Sequence, residues 1–185
     1  MARQPNRTKH ALLGFLTWGP MSGYDLQKVV SGSISNFWKE GYGRIYPMLA
    51  QLAEEGLASV REETSSGGRP RKVYSITEAG RREFQRWLHE APASRPLRNE
   101  MLLKLFFGAR TDRERGVELV REFQADREEL LAHYDTLYEN LSAVKGDVAD
   151  REYWLMTLRY GQLEVRAHLD WCEETLARLP DPPEE

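Results

Sequence analysis

The chain has a single cysteine in 185 residues, Cys172. An internal disulfide and a multi-cysteine zinc site are therefore excluded. It also lacks any apolar run approaching the roughly 18 residues that a membrane-spanning helix needs. The amino terminus, Met1 to Lys9, is basic but leads only into the short apolar run Ala11 to Trp18. No small-residue cleavage site follows, so the segment does not read as a secretory signal, and the expected compartment is the cytoplasm. The four histidines, His10, His89, His133 and His168, are scattered and form no ligand spacing such as HExxH. No phosphate-cradling loop is present, and Gly41-Tyr42-Gly43 lacks the strand context of a dinucleotide fingerprint. With no catalytic constellation, metal site or cofactor motif, the chain does not read as an enzyme.

What is present is a chain that can bury a core: 41% of it is hydrophobic and 30% charged. The net charge of −3 is unevenly spread. Residues 1–90 carry 13 lysines and arginines against 9 acids, whereas residues 91–185 carry 13 against 20. A basic half joined to an acidic half points to a polyanionic partner for the first half only. The segment Ala91-Pro92-Ala93-Ser94-Arg95-Pro96 reads as a linker or sharp turn. The expected domains are therefore residues 1–90 and 97–180. No internal repeat appears, and the tail Pro180 to Glu185 reads as solvated.

The first half opens with a helix over Lys9 to Thr17, stopped by Gly19-Pro20. Ser22 and Asp25 have capping-box spacing and start a second helix, about Gly23 to Val30. A third helix, Arg44 to Glu55, carries the stripe Ile45, Met48, Leu49 and Leu52 and ends at Gly56, a natural helix-terminating glycine. Pro47 is tolerated only near a helix start, where backbone N–H groups lack partners anyway. It therefore places that start close to Gly43, leaving the positive end of the helix dipole outward. A strand ending about Glu63, a turn over Thr64 to Pro70 and a return strand over Lys72 to Ile76 make a hairpin. Thr77 caps a fourth helix, about Glu78 to Leu88, with Phe84, Trp87 and Leu88 facing inward. Three helices and a hairpin with a Gly/Arg-rich tip form the pattern of a winged helix-turn-helix.

The blocks Ala11-Leu12-Leu13, Gly23-Tyr24-Asp25-Leu26, Tyr46-Pro47-Met48-Leu49, Leu52-Ala53-Glu54-Glu55-Gly56-Leu57 and Gly68-Arg69-Pro70-Arg71-Lys72-Val73-Tyr74-Ser75-Ile76-Thr77-Glu78-Ala79-Gly80 resemble the PadR family of transcriptional regulators in order and spacing. The resemblance covers about residues 9–90. It implies a dimeric bacterial or archaeal repressor.

The second half has three apolar segments. Met101 to Ala109 is apolar enough to be buried nearly all round. Thr111, with Glu114 three residues on, is expected to cap the next helix. That helix carries a heptad seam of Val120, Phe123, Leu130, Tyr134, Leu137, Leu141 and Val144, in which Arg127 is the polar position. Gly146-Asp147 breaks it. The last helix, about Arg151 to Leu179, has one seam of Leu155, Leu158, Val165, Leu169, Cys172, Leu176 and Leu179. A second stripe runs through Tyr153, Met156, Tyr160, Leu163, Ala167 and Trp171. Two stripes on one helix need two partners: the preceding helix and a second protomer. This is similar to the long form of the PadR family, with its carboxy-terminal helical dimerisation region. Cys172, on an apolar seam, reads as a buried inert thiol.

The fold class expected is mainly α with a small β-hairpin. The function expected is a dimeric, sequence-specific DNA-binding regulator, read as a repressor on a pseudo-palindromic operator. Two recognition helices would enter successive major grooves about 34 Å apart. Candidate DNA contacts are Lys39, Tyr42, Arg44, Tyr46 and Gln51 around the third helix. Arg44 can read guanine bidentately, and Gln51 can read adenine if its face points outward. The wing adds Arg69, Arg71 and Lys72 for phosphate, and Tyr24 opens the helix that crosses the backbone. Arg3, Arg7 and Lys9 lie on an amino-terminal arm too unconstrained by the sequence to assign to the backbone. The family resemblance also implies a small aromatic effector, for which Trp154, Tyr160 and Trp171 are candidate pocket residues. The rival reading is a winged helix used as a protein-docking surface without DNA binding.

Overall fold

The computed structural model describes residues 7–34, 37–38, 42–64, 70–92, 98–143 and 149–179, without the side chains of Tyr42 and Arg113. The chain divides into two compact units, residues 1–94 and 95–185.

The first unit contains α1 (Arg7–Leu16), α2 (Gly23–Ser33), α3 (Ile45–Glu54) and α4 (Glu78–Leu88) with a small sheet of β1 (Met21–Ser22), β2 (Ala58–Thr64) and β3 (Pro70–Ile76). The strand order is β1-β3-β2, antiparallel throughout. The third strand was not foreseen, because two residues carry no alternation to read. The core is built from Leu12, Leu13, Leu16, Leu26, Ile45, Leu49 and Leu52, all essentially inaccessible. The helical stripe anticipated on α3 is thus its buried face.

Each boundary has a local cause. Pro47 is the third residue of α3, within the first turn, where its missing N–H costs no helical bond. The α3 carboxy terminus closes by the Gly56 N–H donating to Ala53 O (3.1 Å) and the Leu57 N–H to Leu52 O (2.9 Å), with Gly56 at φ 69°. The same corner anchors α4. Thr77 donates its N–H to Leu57 O (3.0 Å) and its hydroxyl to Gly56 O (2.7 Å), while Thr77 Oγ1 accepts the Gly80 N–H (3.1 Å). Gly80 is needed for the close approach: a Cβ there would stand 2.1 Å from Leu57 O. Leu88, expected on the inner face of α4, is exposed, since the last turn of that helix runs beyond the core.

Trp87 does face inward. Its ring stacks on buried His10 of α1 at 4.9 Å between centroids. His10 Nε2 lies 3.3 Å from Glu83 Oε1, and Lys9 bridges Glu55 (3.0 Å) and Glu83 (3.4 Å). Lys9 is therefore committed to α3 and α4, not presented to a DNA backbone. Burial holds the His10 imidazole below its ordinary range, against the pull of Glu83. The neutral ring is thus the form that suits the fold. Stability from this site is full above about pH 6.5 and is lost as pH falls below it. Melting temperatures at pH 7.5 and 5.5 are expected to differ more for the wild type than for His10→Gln. An equal drop in both would remove His10 from the account.

The second unit contains α5 (Glu100–Phe106), a 3₁₀ turn over Gly108–Arg110, α6 (Arg113–Ala143) and α7 (Arg151–Arg178). The last two form a long hairpin around Tyr134, Leu158 and Val165, with Leu130, Leu137, Leu141 and Leu169 beside them. The buried Gln162 amide donates to Asp135 Oδ1 (2.7 Å) and accepts from Arg159 (3.3 Å). Cys172 is fully covered, and burial pushes its thiol pKa up. Two expectations fail here. The start of α6 is set by Asp112, whose carbonyl accepts the Arg115 N–H, while Thr111 ends the preceding 3₁₀ turn. The run Met101 to Ala109 is not buried: Leu102, Leu103, Phe106 and Phe107 are exposed. The helix α5 is short and packs on α6 and the 3₁₀ turn, and these leave its outer side open among the described residues. The second stripe of α7, Tyr153, Met156, Tyr160 and Leu163, is likewise exposed.

Candidate nucleic-acid interface

A helix-turn-helix presents the start of its second helix, and the sequence positions that start closely. Backbone 3₁₀ geometry over Tyr42–Arg44 leads directly into α3. Arg44 is exposed, and its side chain makes no cap bond to the helix it precedes. Tyr46 lies half outside at 53% exposure, its ring against the backbone of Gly23. A Cβ on Gly23 would stand 2.5 Å from Tyr46 Cε1, so this glycine lets the starts of α2 and α3 meet. The start of α2 is itself held by a capping box. Ser22 donates its N–H to Asp25 Oδ2 (3.0 Å), and the Asp25 N–H donates to Ser22 Oγ (3.2 Å). The Ser22 hydroxyl, which donates to Asp25 Oδ2 at 2.7 Å, and then the Ser22 N–H hold the Asp25 carboxyl below its ordinary range. Tyr24 stands outward at 68% exposure, and Lys28, also exposed, lies one turn further on the same face.

The wing approaches the same end of α2. Arg71 of β3 pairs with Glu63 of β2 at 3.1 Å and reaches Asp25 at 3.9 Å. Arg61 holds the other oxygen of Glu63 at 2.6 Å. Lys72 is exposed, with no ion pair among the described residues. Arg44 thus lies in the turn before α3, Tyr46 on α3, Tyr24 on α2, and Arg71 and Lys72 on β3. Lys39, Arg69 and the side chain of Tyr42 lie outside the described residues. Gln51 lies near the far end of α3, where its amide donates to Glu55 Oε1 at 2.6 Å. Lys28 and Arg61 were missed by sequence reasoning. The four-residue spacing from Tyr24 was the available signal for Lys28.

Residues 12–86 match the family model for the transcriptional regulator PadR-like family. These residues therefore form a PadR-like family domain. Residues 97–180 match a second model, virulence activator alpha C-term. The negative transcriptional regulator PadR of Bacillus subtilis is 27% identical over 92% of this chain and 96% of its own length. That protein has been solved with operator DNA (TM-score 0.84, 25% identity, covering 95% of this chain and 100% of that one). It has also been solved with p-coumaric acid (TM-score 0.78, 26% identity, 98% and 100%). The virulence activator AphA of Vibrio cholerae superposes with a TM-score of 0.74 at 29% identity, covering 93% and 97%.

The expected effector residues of this chain do not converge. Trp154, Tyr160 and Trp171 span 17 positions of α7, about 25 Å of helix. Tyr160 is exposed, while Trp171 packs toward Phe123 at 6.2 Å. A cavity of about 420 Å³ opens elsewhere in this unit, lined by Leu103, Leu105, Phe107 and Leu119 with Lys104 and Arg110. Among the described residues, no helix is long and apolar enough to cross a membrane.

Proposed function

We propose that this chain is a dimeric repressor that binds a pseudo-palindromic operator through α3 and its wing, works in the cytoplasm without catalysis, and is released by a small aromatic effector. The observation that carries the reading is the exposed start of α3: Arg44 and Tyr46 face outward where the opposite side of the helix is locked in the core. An arginine there can meet guanine O6 and N7 bidentately. Tyr24 and Lys28 suit phosphate on one side, and Lys72 and the wing arginines suit it on the other. The apolar ridges left open on α5 and α7 support pairing with a second copy, which would set the two α3 helices one DNA turn apart. Release by an aromatic compound is argued from the B. subtilis relative solved with p-coumaric acid. The domain division proposed is residues 1–90 for DNA and 97–180 for pairing and effector.

The test uses a duplex enriched by the protein from a random pool, and a scrambled duplex, at one salt concentration. Arg44→Ala is expected to weaken the enriched duplex by about 1–3 kcal/mol and relax preference at one position in each half-site. Equal loss on both duplexes would make Arg44 a phosphate contact. If the pool yields no enriched duplex, the chain is a protein-docking module instead.

A further inference from the structure

We propose that Glu63 determines the DNA selectivity of this surface by holding two wing arginines against its own carboxylate. The inference rests on the reading that the surface meets DNA. Its basis is geometric. The β2–β3 register places Glu63 directly opposite Arg71, and Arg61 lies two residues before Glu63 on the same face. Each oxygen of Glu63 takes one guanidinium: Oε1 the Arg61 Nη2 at 2.6 Å, Oε2 the Arg71 Nη2 at 3.1 Å. Arg71 extends further to Asp25, beside exposed Tyr24 at the start of α2. Glu63 is the more covered member of each pair, with a side-chain exposure of 29% against 63% and 46%. The Arg71 hydrogen bond holds its carboxyl below the ordinary range, so it is charged at neutral pH.

A carboxylate and a phosphate compete for the same donors of a guanidinium. Random DNA is gripped mainly through mobile cations that follow the backbone. Glu63 withdraws two such cations and fixes each in one place. A duplex seated by α3 in a single register meets the arginines where they stand. A duplex in any other register must first break an exposed ion pair, each worth about 1.4- to 5-fold in an equilibrium. The acid therefore taxes random binding more than operator binding, and Glu63 acts as a specificity-determining residue without touching a base.

The experiment compares wild type, Glu63→Gln and Glu62→Gln on the enriched and scrambled duplexes across a salt series. Glu62 has the same charge on the opposite face of β2 and holds neither arginine. Glu63→Gln is expected to tighten scrambled DNA about threefold or more, with a salt slope steeper by about 0.9 for each phosphate newly contacted per protomer. The enriched duplex should gain less, so the ratio of the two affinities falls. Glu62→Gln should leave that ratio unchanged. An equal gain on both duplexes, an unchanged slope, or the same ratio change in both variants would overturn the proposal. Failure of wild type to bind either duplex would strike instead at the DNA-binding reading.

Discussion

Gly80→Ala is expected to melt the first unit about 10 °C or more below the wild type. A Cβ at this position would stand 2.1 Å from Leu57 O and 2.9 Å from Ile76 Cγ1. The first of these is backbone, already committed as acceptor of the Thr77 N–H, and it cannot rotate away. Relief requires α4 to move off the α3–β2 corner. Overpacking of this kind costs about 1–3 kcal/mol, and each bond lost from Thr77 about 1 kcal/mol more. A domain of this size is stable by only 5–15 kcal/mol in general, and each kcal/mol moves its midpoint by about 4–8 °C. Circular dichroism melting of the full chain would read the shift. A midpoint within about 2 °C of wild type would mean that the corner is loose.

Tyr160→Glu combined with Leu163→Glu is expected to turn the chain into a monomer. Both residues lie on the exposed ridge Tyr153, Met156, Tyr160 and Leu163, spaced three and four apart along α7. Covering a large apolar side chain is worth about 1.5–3 kcal/mol, and a symmetric pairing doubles every such contribution. Unpaired carboxylates on that ridge reverse the sign. Because both positions are exposed in the single chain, α7 should keep its helix, and sedimentation rather than melting is the decisive measurement. Affinity for a two-half-site duplex should fall by 100-fold or more, since the second half-site would no longer be bound intramolecularly. A folded dimer that survives both charges would exclude this ridge as the interface.

The first unit was more legible in the sequence than the second. Its elements are short and sharply punctuated, and Pro47, Gly56 and Thr77 each have one backbone context that suits them. The buried stripe of α3 followed from spacing alone. The failures share one cause: a one-dimensional pattern tells which residues are apolar but not what arrives to cover them. The run in α5 reads as buried, yet Leu102, Leu103, Phe106 and Phe107 are exposed among the described residues. Charged residues were harder still. Lys9 is held by Glu55 and Glu83, and the Gln51 amide by Glu55, pairings that composition does not specify. Arg71 is partnered across strands, a relation fixed by register rather than by composition.

The bond between the buried Gln162 amide and the half-exposed Asp135 carboxylate has a consequence for the alignment of the long hairpin. A stripe of leucines repeating every seven residues fits its partner nearly as well after a slip of one heptad, about 10.5 Å. A slipped hairpin would bury the Gln162 amide against hydrocarbon with no acceptor, at about 1–3 kcal/mol. The amide thus works as an index mark. It favours the one alignment of α6 and α7 in which the amide keeps its acceptor over alignments that the apolar contacts alone would tolerate.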